Sequence, residues 1–229
     1  RQTIAPPKNR MYSAVADDVY LQEIGHKIPT ESPVTALAAW QGELYALSGG
    51  RLHRLQAERL RTVETAPSGL QRLFVVDEKL WGSTADGLYL FADGGRTSHK
   101  VFPHQVVDMC FHNKFVHAAT KDEIFRFEGD AFVDIKPPAG WLSSDTTVMM
   151  EDGSQVLTDP IRIGPIERIA SYSGTLYLLR PDGIALLDGA MLVTSPVDWG
   201  TMPSRTHRDM LSLGSRLLIA TDRGVAVLR

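Results

Sequence analysis

The sequence lacks several features that would each indicate a class of protein. Cys110 is the only cysteine, so no disulfide can form within the chain. No run of eighteen apolar residues occurs, and we therefore expect no membrane-spanning helix. The formal net charge of −3 argues against a general nucleic-acid binder. Neither a Cys-x-x-Cys nor a His-Glu-x-x-His motif is present, and no glycine-rich loop precedes a helix, so we expect neither a metal nor a cofactor.

The hydrophobic residues that are present follow the period of strands and not that of helices. They make up 43% of the 229 residues, which is enough to bury one substantial core. Apolar and polar residues trade places over Leu52–Leu55 and over Ile124–Phe127 in roughly the order that a half-buried strand needs. Clusters of Gly, Pro, Ser and Asp separate such segments and supply the hairpin turns that strands require.

A short pattern recurs along the chain: an apolar or aromatic pair, a linker of four to five residues, and a second apolar run. The clearest copy is Leu80–Phe91, and Leu176–Leu187 and Leu217–Leu228 repeat it. Weaker copies begin at Leu44, at Val116 and at Met11. The six starting positions are therefore 33, 36, 36, 60 and 41 residues apart. A strand-turn-strand repeat near this period is typical of a β-propeller.

The sequence thus predicts an all-β fold, a single β-propeller domain of six or seven four-stranded, blade-like units. The 60-residue step leaves room for a degenerate unit, and the unit at each end lacks a strand. A propeller normally completes one blade from both termini, so we expect a longer parent chain or a neighbour to complete the ring. The predicted units are 1–33, 34–69, 70–105, 106–141, a degenerate 142–165, 166–206 and 207–229.

The string Leu-Trp-x-x-Thr-x-Asp-Gly-Leu-Tyr at Leu80–Tyr89 resembles the short repeat of the two-component-regulator propeller family. This resemblance implies an extracytoplasmic sensor region, periplasmic or secreted, that commonly responds to carbohydrates. Similar propellers occur in polysaccharide lyases that act on uronate-containing glycans. The motif itself is structural, because Gly87 is expected to supply a turn with positive φ and Asp86 to bond its own backbone.

Charged residues are predicted on the innermost strand of the blades, where an ionised group must be paired or hydrated. Two interpretations are open: charge pairs between neighbouring blades, Arg72 with Asp108 and Arg168 with Asp209, or a polar channel mouth that holds a charged ligand. Counting back from the start of each repeat gives the aligned positions Ala36, Arg72, Asp108, Arg168 and Asp209.

The predicted loops on the same face of the propeller add further candidate residues. His104 and His207 are candidate catalytic bases, because histidine exchanges protons near neutral pH. The predicted ligand-binding residues are Arg72, Asp108, Arg168, Arg208, Asp209, Arg180 and Lys121.

Three functions fit this pattern, and whether the chain is an enzyme stays open. The first is a ligand-binding or sensor domain for a carbohydrate or another small ligand. A charged channel mouth would suit an acidic ligand. The second is a polysaccharide lyase, in which arginine neutralises a uronate carboxylate and histidine removes the neighbouring proton. The third is a protein-interaction platform.

Overall fold

Short antiparallel strands make up most of the computed structural model. The model describes residues 28–135, 147–149, 155–157, 165–181, 183–188, 191–193, 204 and 206–228. The first sheet consists of β1 (Val34–Trp40), β2 (Glu43–Ser48), β3 (Arg51–Gln56) and β4 (Arg59–Thr62). The second consists of β5 (Arg72–Val76), β6 (Lys79–Thr84), β7 (Gly87–Ala92) and β8 (Thr97–Phe102), with a single 3₁₀ turn at Asp93–Gly95.

The remaining sheets repeat this arrangement. The third sheet consists of β9 (Asp108–His112), β10 (Phe115–Ala119), β11 (Ile124–Glu128) and β12 (Ala131–Asp134). A two-stranded sheet follows, β13 (Thr147–Met149) and β14 (Gln155–Leu157). The fourth sheet consists of β15 (Arg168–Tyr172), β16 (Thr175–Arg180), β17 (Gly183–Asp188) and β18 (Met191–Val193). The fifth consists of β19 (His207–Leu213), β20 (Arg216–Thr221) and β21 (Gly224–Leu228).

The strands of each sheet pair in chain order, and the sheets form a β-propeller ring. The innermost strands β1, β5, β9, β15 and β19 contact one another in that sequence. The prediction of an all-β propeller is therefore confirmed. The predicted count of six or seven units is wrong, because the described residues form five blade-like sheets of three or four strands. The unit predicted at 1–33 lies almost entirely outside the described residues.

The third and fourth sheets are direct neighbours, although the 60-residue step separates their repeats. The backbone N–H of Ile166 donates to the carbonyl oxygen of Lys121 at 2.6 Å. The backbone N–H of Ile169 in β15 donates to a carboxylate oxygen of Asp108 in β9 at 2.9 Å. No sheet therefore separates β9 from β15. Of the unit predicted at 142–165, the structure describes only β13, β14 and residue 165, and this explains the lower count.

The turn that joins β6 to β7 needs a glycine for a different reason from the one predicted. The equivalent glycines of the fourth and fifth sheets, Gly183 and Gly224, have φ values of 145° and 138°. Gly87 is not among the residues with positive φ. A Cβ atom at Gly87 would lie 2.7 Å from the carbonyl oxygen of Phe102 and 2.3 Å from Cε of Lys100. The close approach of β8, and not an unusual φ, therefore requires glycine here.

One kind of contact recurs between successive sheets and forms the core. In each pair, one residue is the first apolar residue in the third strand of a sheet. It is buried in the same cluster as a residue of the next sheet, the one that starts the repeat in that sheet's second strand. Burial of such side chains is the main favourable term in folding. The four pairs are Leu52 with Leu80, Leu88 with Val116, Ile124 with Leu176, and Ile184 with Leu217.

The substitution Leu80→Ala tests this packing. Leu80 is fully buried between the first two sheets. Truncation leaves a cavity, so we expect the free energy of unfolding to fall by about 2–5 kcal/mol in urea denaturation. Val75→Ala is the matched control, because Val75 is 42% exposed, and it should cost under about 1 kcal/mol. Equal losses for the two variants would contradict the assignment of Leu80 to the inter-sheet core.

Candidate functional site

The five positions aligned from the sequence occupy one equivalent ladder position on the innermost strands. Each lies opposite the residue three places after the start of its own repeat, so the alignment made from the sequence is confirmed at the level of strand register. Four of these five positions carry a charge. The pairs are Ala36 with Leu47, Arg72 with Ser83, Asp108 with Ala119, Arg168 with Leu179, and Asp209 with Ala220.

Arg168 and Asp209 form an ion pair between the fourth and fifth sheets. Nε of Arg168 donates to Oδ1 of Asp209 at 2.9 Å. Nη1 of Arg168 also donates to the carbonyl oxygen of Glu167, and the backbone N–H of Met210 donates to Oδ1 of Asp209. The two side chains remain 29% and 59% exposed. Water screens a pair of this kind, which typically contributes no more than about 1 kcal/mol to stability.

Asp108 is the most enclosed of the four charged residues. Its Oδ2 accepts the hydrogen bond from the backbone N–H of Ile169, and so ties β9 to β15. Burial raises the pKa of the Asp108 carboxyl from 3.8 to about 6. The backbone hydrogen bonds from Ile169 and Met109, and the nearby Arg168 and Arg72, lower the pKa but do not offset the burial.

Arg72 forms no ion pair or hydrogen bond with a carboxylate of the described residues, although Asp108 and Asp209 lie close enough to raise its pKa. The second predicted pair, Arg72 with Asp108, does not form, since no ion pair or hydrogen bond joins the two side chains. Burial lowers the pKa of Arg72, and the neighbouring Arg168 lowers it further. The guanidinium nevertheless stays charged at physiological pH, because arginine titrates far above this range. On the adjacent β1, the equivalent position is the small residue Ala36.

The two candidate bases lie at the starts of innermost strands. His104 is exposed in the loop before β9, and its ring packs edge-on against Phe102 at 5.1 Å. His207 is the first residue of β19 and lies opposite Thr221. Burial lowers the pKa of His207, which favours the neutral imidazole at pH 7. Among the described residues, neither histidine forms a hydrogen bond with a channel arginine.

The other predicted ligand-binding residues occupy the loops and strand ends of the same face. Arg208 is exposed at the β-bulge between His207 and Asp209, a geometry that redirects side chains at strand ends. Lys121 is exposed, and its backbone carbonyl holds the start of the fourth sheet. Arg180 is the last residue of β16. All of these remain predicted ligand-binding residues.

Two polar contacts between neighbouring sheets were not predicted from the sequence. At the predicted ligand-binding face, Nε2 of Gln105 donates to the side-chain oxygen of Gln71, and this links the second and third sheets. At the opposite end of the strands, Nδ1 of His112 lies 2.9 Å from Oγ of Ser171. A glutamine just before an innermost strand is a weak signal, and only the register places the two amides together.

The described residues contain neither a metal-binding cluster nor a membrane-spanning helix. No group of three or more of their His, Cys, Asp or Glu side chains is placed to hold a metal ion. No helix in the described part of the chain is long and apolar enough to cross a membrane.

Comparison with known proteins identifies the fold but not a family. No family model matches the sequence, and no curated protein matches it. The chain is similar to the extracellular domain of BT3049 from B. thetaiotaomicron, assigned as a hybrid two-component system, with 13% identity and a TM-score of 0.59. It is also similar to virginiamycin B lyase from Staphylococcus aureus (12%, 0.60) and to PorZ, a surface component of the type-IX secretion system of Porphyromonas gingivalis (10%, 0.53).

The matches cover most of this chain and a smaller part of the other proteins. They include 87% of this chain and 29% of the BT3049 domain, 88% and 67% for the lyase, and 87% and 27% for PorZ. At these identities the similarity shows the propeller fold alone. The extracellular domain of BT3049 therefore shares the propeller fold with this chain, and no sequence-family match accompanies that similarity.

The substitution Asp108→Asn tests the electrostatics of the channel. The pKa of Asp108 is raised in the folded chain, so the folded state binds more protons than the unfolded state between about pH 4 and 6. Stability from this group is therefore present at low pH and lost as the pH rises through about 6. The asparagine of the variant cannot ionise, yet its amide oxygen can still accept from Ile169.

We expect Asp108→Asn to raise the free energy of unfolding at pH 8, by at most about 3 kcal/mol, and to leave it nearly unchanged at pH 4. Urea denaturation at several pH values measures this difference. Asp130→Asn, in an exposed turn, is the control and should show no such gain. A loss of stability at pH 8 would mean that the charged carboxylate stabilises the fold.

Proposed function

We propose that this chain is an extracytoplasmic ligand-binding propeller whose channel mouth recognises an acidic carbohydrate through Arg72. The observation that carries the proposal is the burial of the Arg72 guanidinium without a paired carboxylate. This guanidinium lies half-buried on an innermost strand, and no carboxylate of the described residues pairs with it. The neighbouring carboxylates are already engaged, Asp209 by Arg168 and Asp108 by a backbone N–H.

The chemistry of Arg72 favours a carboxylate ligand over a neutral one. A guanidinium presents a planar fork of donors that matches a carboxylate in a bidentate arrangement. The small side chain of Ala36 on the adjacent strand supplies no competing charge. Arg168 lies close enough to lower the pKa of Arg72, while Asp108 and Asp209 act in the opposite direction. An acidic sugar would provide the hydrogen-bonded carboxylate that Arg72 lacks among the described residues.

The carbohydrate class and the location outside the cytoplasm are supported by resemblance. The repeat at Leu80–Tyr89 resembles that of two-component-regulator propellers. An extracellular domain of a protein assigned as a hybrid two-component system shares the fold, and this chain spans 29% of its length. We accordingly propose that the chain is part of a longer sensor protein and that its partners are glycans, with no role in nucleic-acid binding.

A polysaccharide lyase is the second candidate, and one observation favours it. Burial lowers the pKa of His207, so a neutral imidazole that could accept a proton is present at pH 7. His207 lies two residues before Asp209, the partner of Arg168. A uronate held by the channel arginines would place its carboxylate on the same face as this base. A lyase would release unsaturated uronate products, whereas a sensor domain would leave the glycan intact.

The variant Arg72→Ala tests the proposed function. Removing a charged hydrogen-bond donor should weaken binding of acidic oligosaccharides about 10- to 100-fold. Neutral oligosaccharides of the same length should bind unchanged, because the guanidinium supplies only the carboxylate contact. Isothermal titration over a panel of uronate-containing and neutral glycans measures both, and ultraviolet absorbance of unsaturated uronates reports any lyase activity in the same samples.

Two further variants sharpen this experiment. Ala36→Asp should also abolish acidic-glycan binding, since the new carboxylate offers Arg72 an internal partner. Arg61→Ala removes an arginine from the outermost strand β4 and is the matched control, which should bind like the unmodified chain. Thermal melts establish that each variant is folded. Acidic-glycan binding that survives both Arg72→Ala and Ala36→Asp would refute the site. A panel with no bound glycan would favour the protein-interaction platform.

A further inference from the structure

The innermost strands carry a second row of equivalent positions, three residues beyond the charged position. Each member of this row lies opposite the residue that starts the repeat in the second strand of its sheet. We call this set the lower row. Its members are Ala39, Val75, Phe111, Ser171 and Ser212, which lie opposite Leu44, Leu80, Val116, Leu176 and Leu217.

Two members of the lower row expose large apolar side chains to the channel. Val75 and Phe111 are 42% and 48% exposed, whereas their partners on the second strands, Leu80 and Val116, are 0% and 3% exposed. The second strand of each sheet lies on the outer side of the innermost strand. Because the outer neighbours are buried, the exposed surfaces of Val75 and Phe111 are on the inner side of the propeller, where the channel runs.

The packing of the sheets does not require an aromatic residue at this position. The fourth and fifth sheets are built from the same repeat and have serine there, Ser171 and Ser212. An exposed phenylalanine leaves apolar surface in water, and sites for small ligands are lined mainly by apolar and aromatic side chains with a few polar groups. The residue type at Phe111 therefore indicates contact with a ligand.

Phe111 and the neighbouring part of the lower row offer the chemistry that a sugar ring needs. An aromatic ring has a negative π face, which attracts the C–H groups on the apolar face of a pyranose. On the adjacent strand β15, the hydroxyl group of Ser171 lies 2.9 Å from Nδ1 of His112 and can exchange hydrogen bonds with sugar hydroxyls. No charged residue belongs to the lower row, so the ring that binds there should be neutral.

The distance between the two rows sets the length of the ligand. Strands rise about 3.3 Å per residue, so the lower row lies about 10 Å along the channel from Arg72. One pyranose ring is shorter than this span. We propose that the lower row is a second subsite, in which a neutral sugar ring stacks on Phe111 while a uronate of the same oligosaccharide binds Arg72. This inference rests on the proposed function, because the uronate at Arg72 determines which part of the glycan enters the channel.

Aldouronic acids test the proposal, because they carry a single glucuronate on a neutral xylose chain of defined length. Isothermal titration of the unmodified chain should show an affinity that rises about 3- to 10-fold once the xylose chain spans both rows. Phe111→Ser should abolish this rise and leave the binding of free glucuronate unchanged. The fold should tolerate the change, since serine occupies the same position in the fourth and fifth sheets.

A matched control separates the lower row from exposed phenylalanine in general. Phe115 is 39% exposed but lies on β10, outside the lower row, with the guanidinium of Arg126 over its ring. Phe115→Ser should therefore retain the rise in affinity with chain length. Thermal melts of both serine variants establish that each is folded.

Neutral xylo-oligosaccharides give a second measurement that does not involve the Arg72 guanidinium. Saturation-transfer NMR should detect contact of their rings with the unmodified chain and with Arg72→Ala, but not with Phe111→Ser. An affinity for aldouronic acids that does not change with chain length, or a rise that survives Phe111→Ser, would overturn the subsite and leave carboxylate recognition by Arg72 intact. Glucuronate binding that survives Arg72→Ala would instead refute the proposed function, and with it the pairing of the two subsites.

Discussion

The contact between successive sheets is the interaction on which the rest of this structure depends. It joins the first apolar residue of a third strand to the start of the repeat in the next sheet, as Leu88 joins Val116 and Ile184 joins Leu217. Each small sheet has two faces, and a lone four-stranded sheet cannot keep both from water. The repeat solves this by giving every sheet one surface for its predecessor and another for its successor. The repeat recurs along the chain because every sheet needs one apolar surface for the preceding sheet and one for the following sheet.

The same packing determines where charge can accumulate. It sets the innermost strands side by side and in register, so that the residues at one ladder position become neighbours across sheets. Arg72, Arg168 and Asp209 can keep their charges there because their side chains are only partly buried. The charged residues at this ladder position differ in their pairing and burial. Arg168 and Asp209 form an ion pair, and the burial of Asp108 raises its pKa to about 6. Arg72 forms no ion pair or hydrogen bond with a carboxylate of the described residues.

The sequence predicted the periodic part of this arrangement and failed where periodicity stops. The strands that contain Leu52–Leu55 and Ile124–Phe127, and the alignment of the innermost strands, follow from patterns of apolar and turn residues. The number of units does not, because a 60-residue step is compatible with either a degenerate sheet or an insertion. Only contacts such as the hydrogen bond from Ile166 to Lys121 distinguish a degenerate sheet from an insertion. The pairing of Arg168, but not of Arg72, also depends on side-chain directions that spacing cannot specify.

The residues that stabilise the fold are therefore different from the residues of the proposed ligand site. The buried pairs between sheets contribute several kilocalories each, whereas the Arg168–Asp209 pair, at 29% and 59% exposure, contributes about 1 kcal/mol or less. A change in the partly exposed Arg168–Asp209 pair therefore costs little in folding, while a change at a repeat start such as Leu80 costs a great deal. This separation explains how one repeat can maintain a fold at 10–13% identity to other propellers. The apolar residues that pack between sheets recur from sheet to sheet, whereas the residues of the proposed ligand site differ from one sheet to the next.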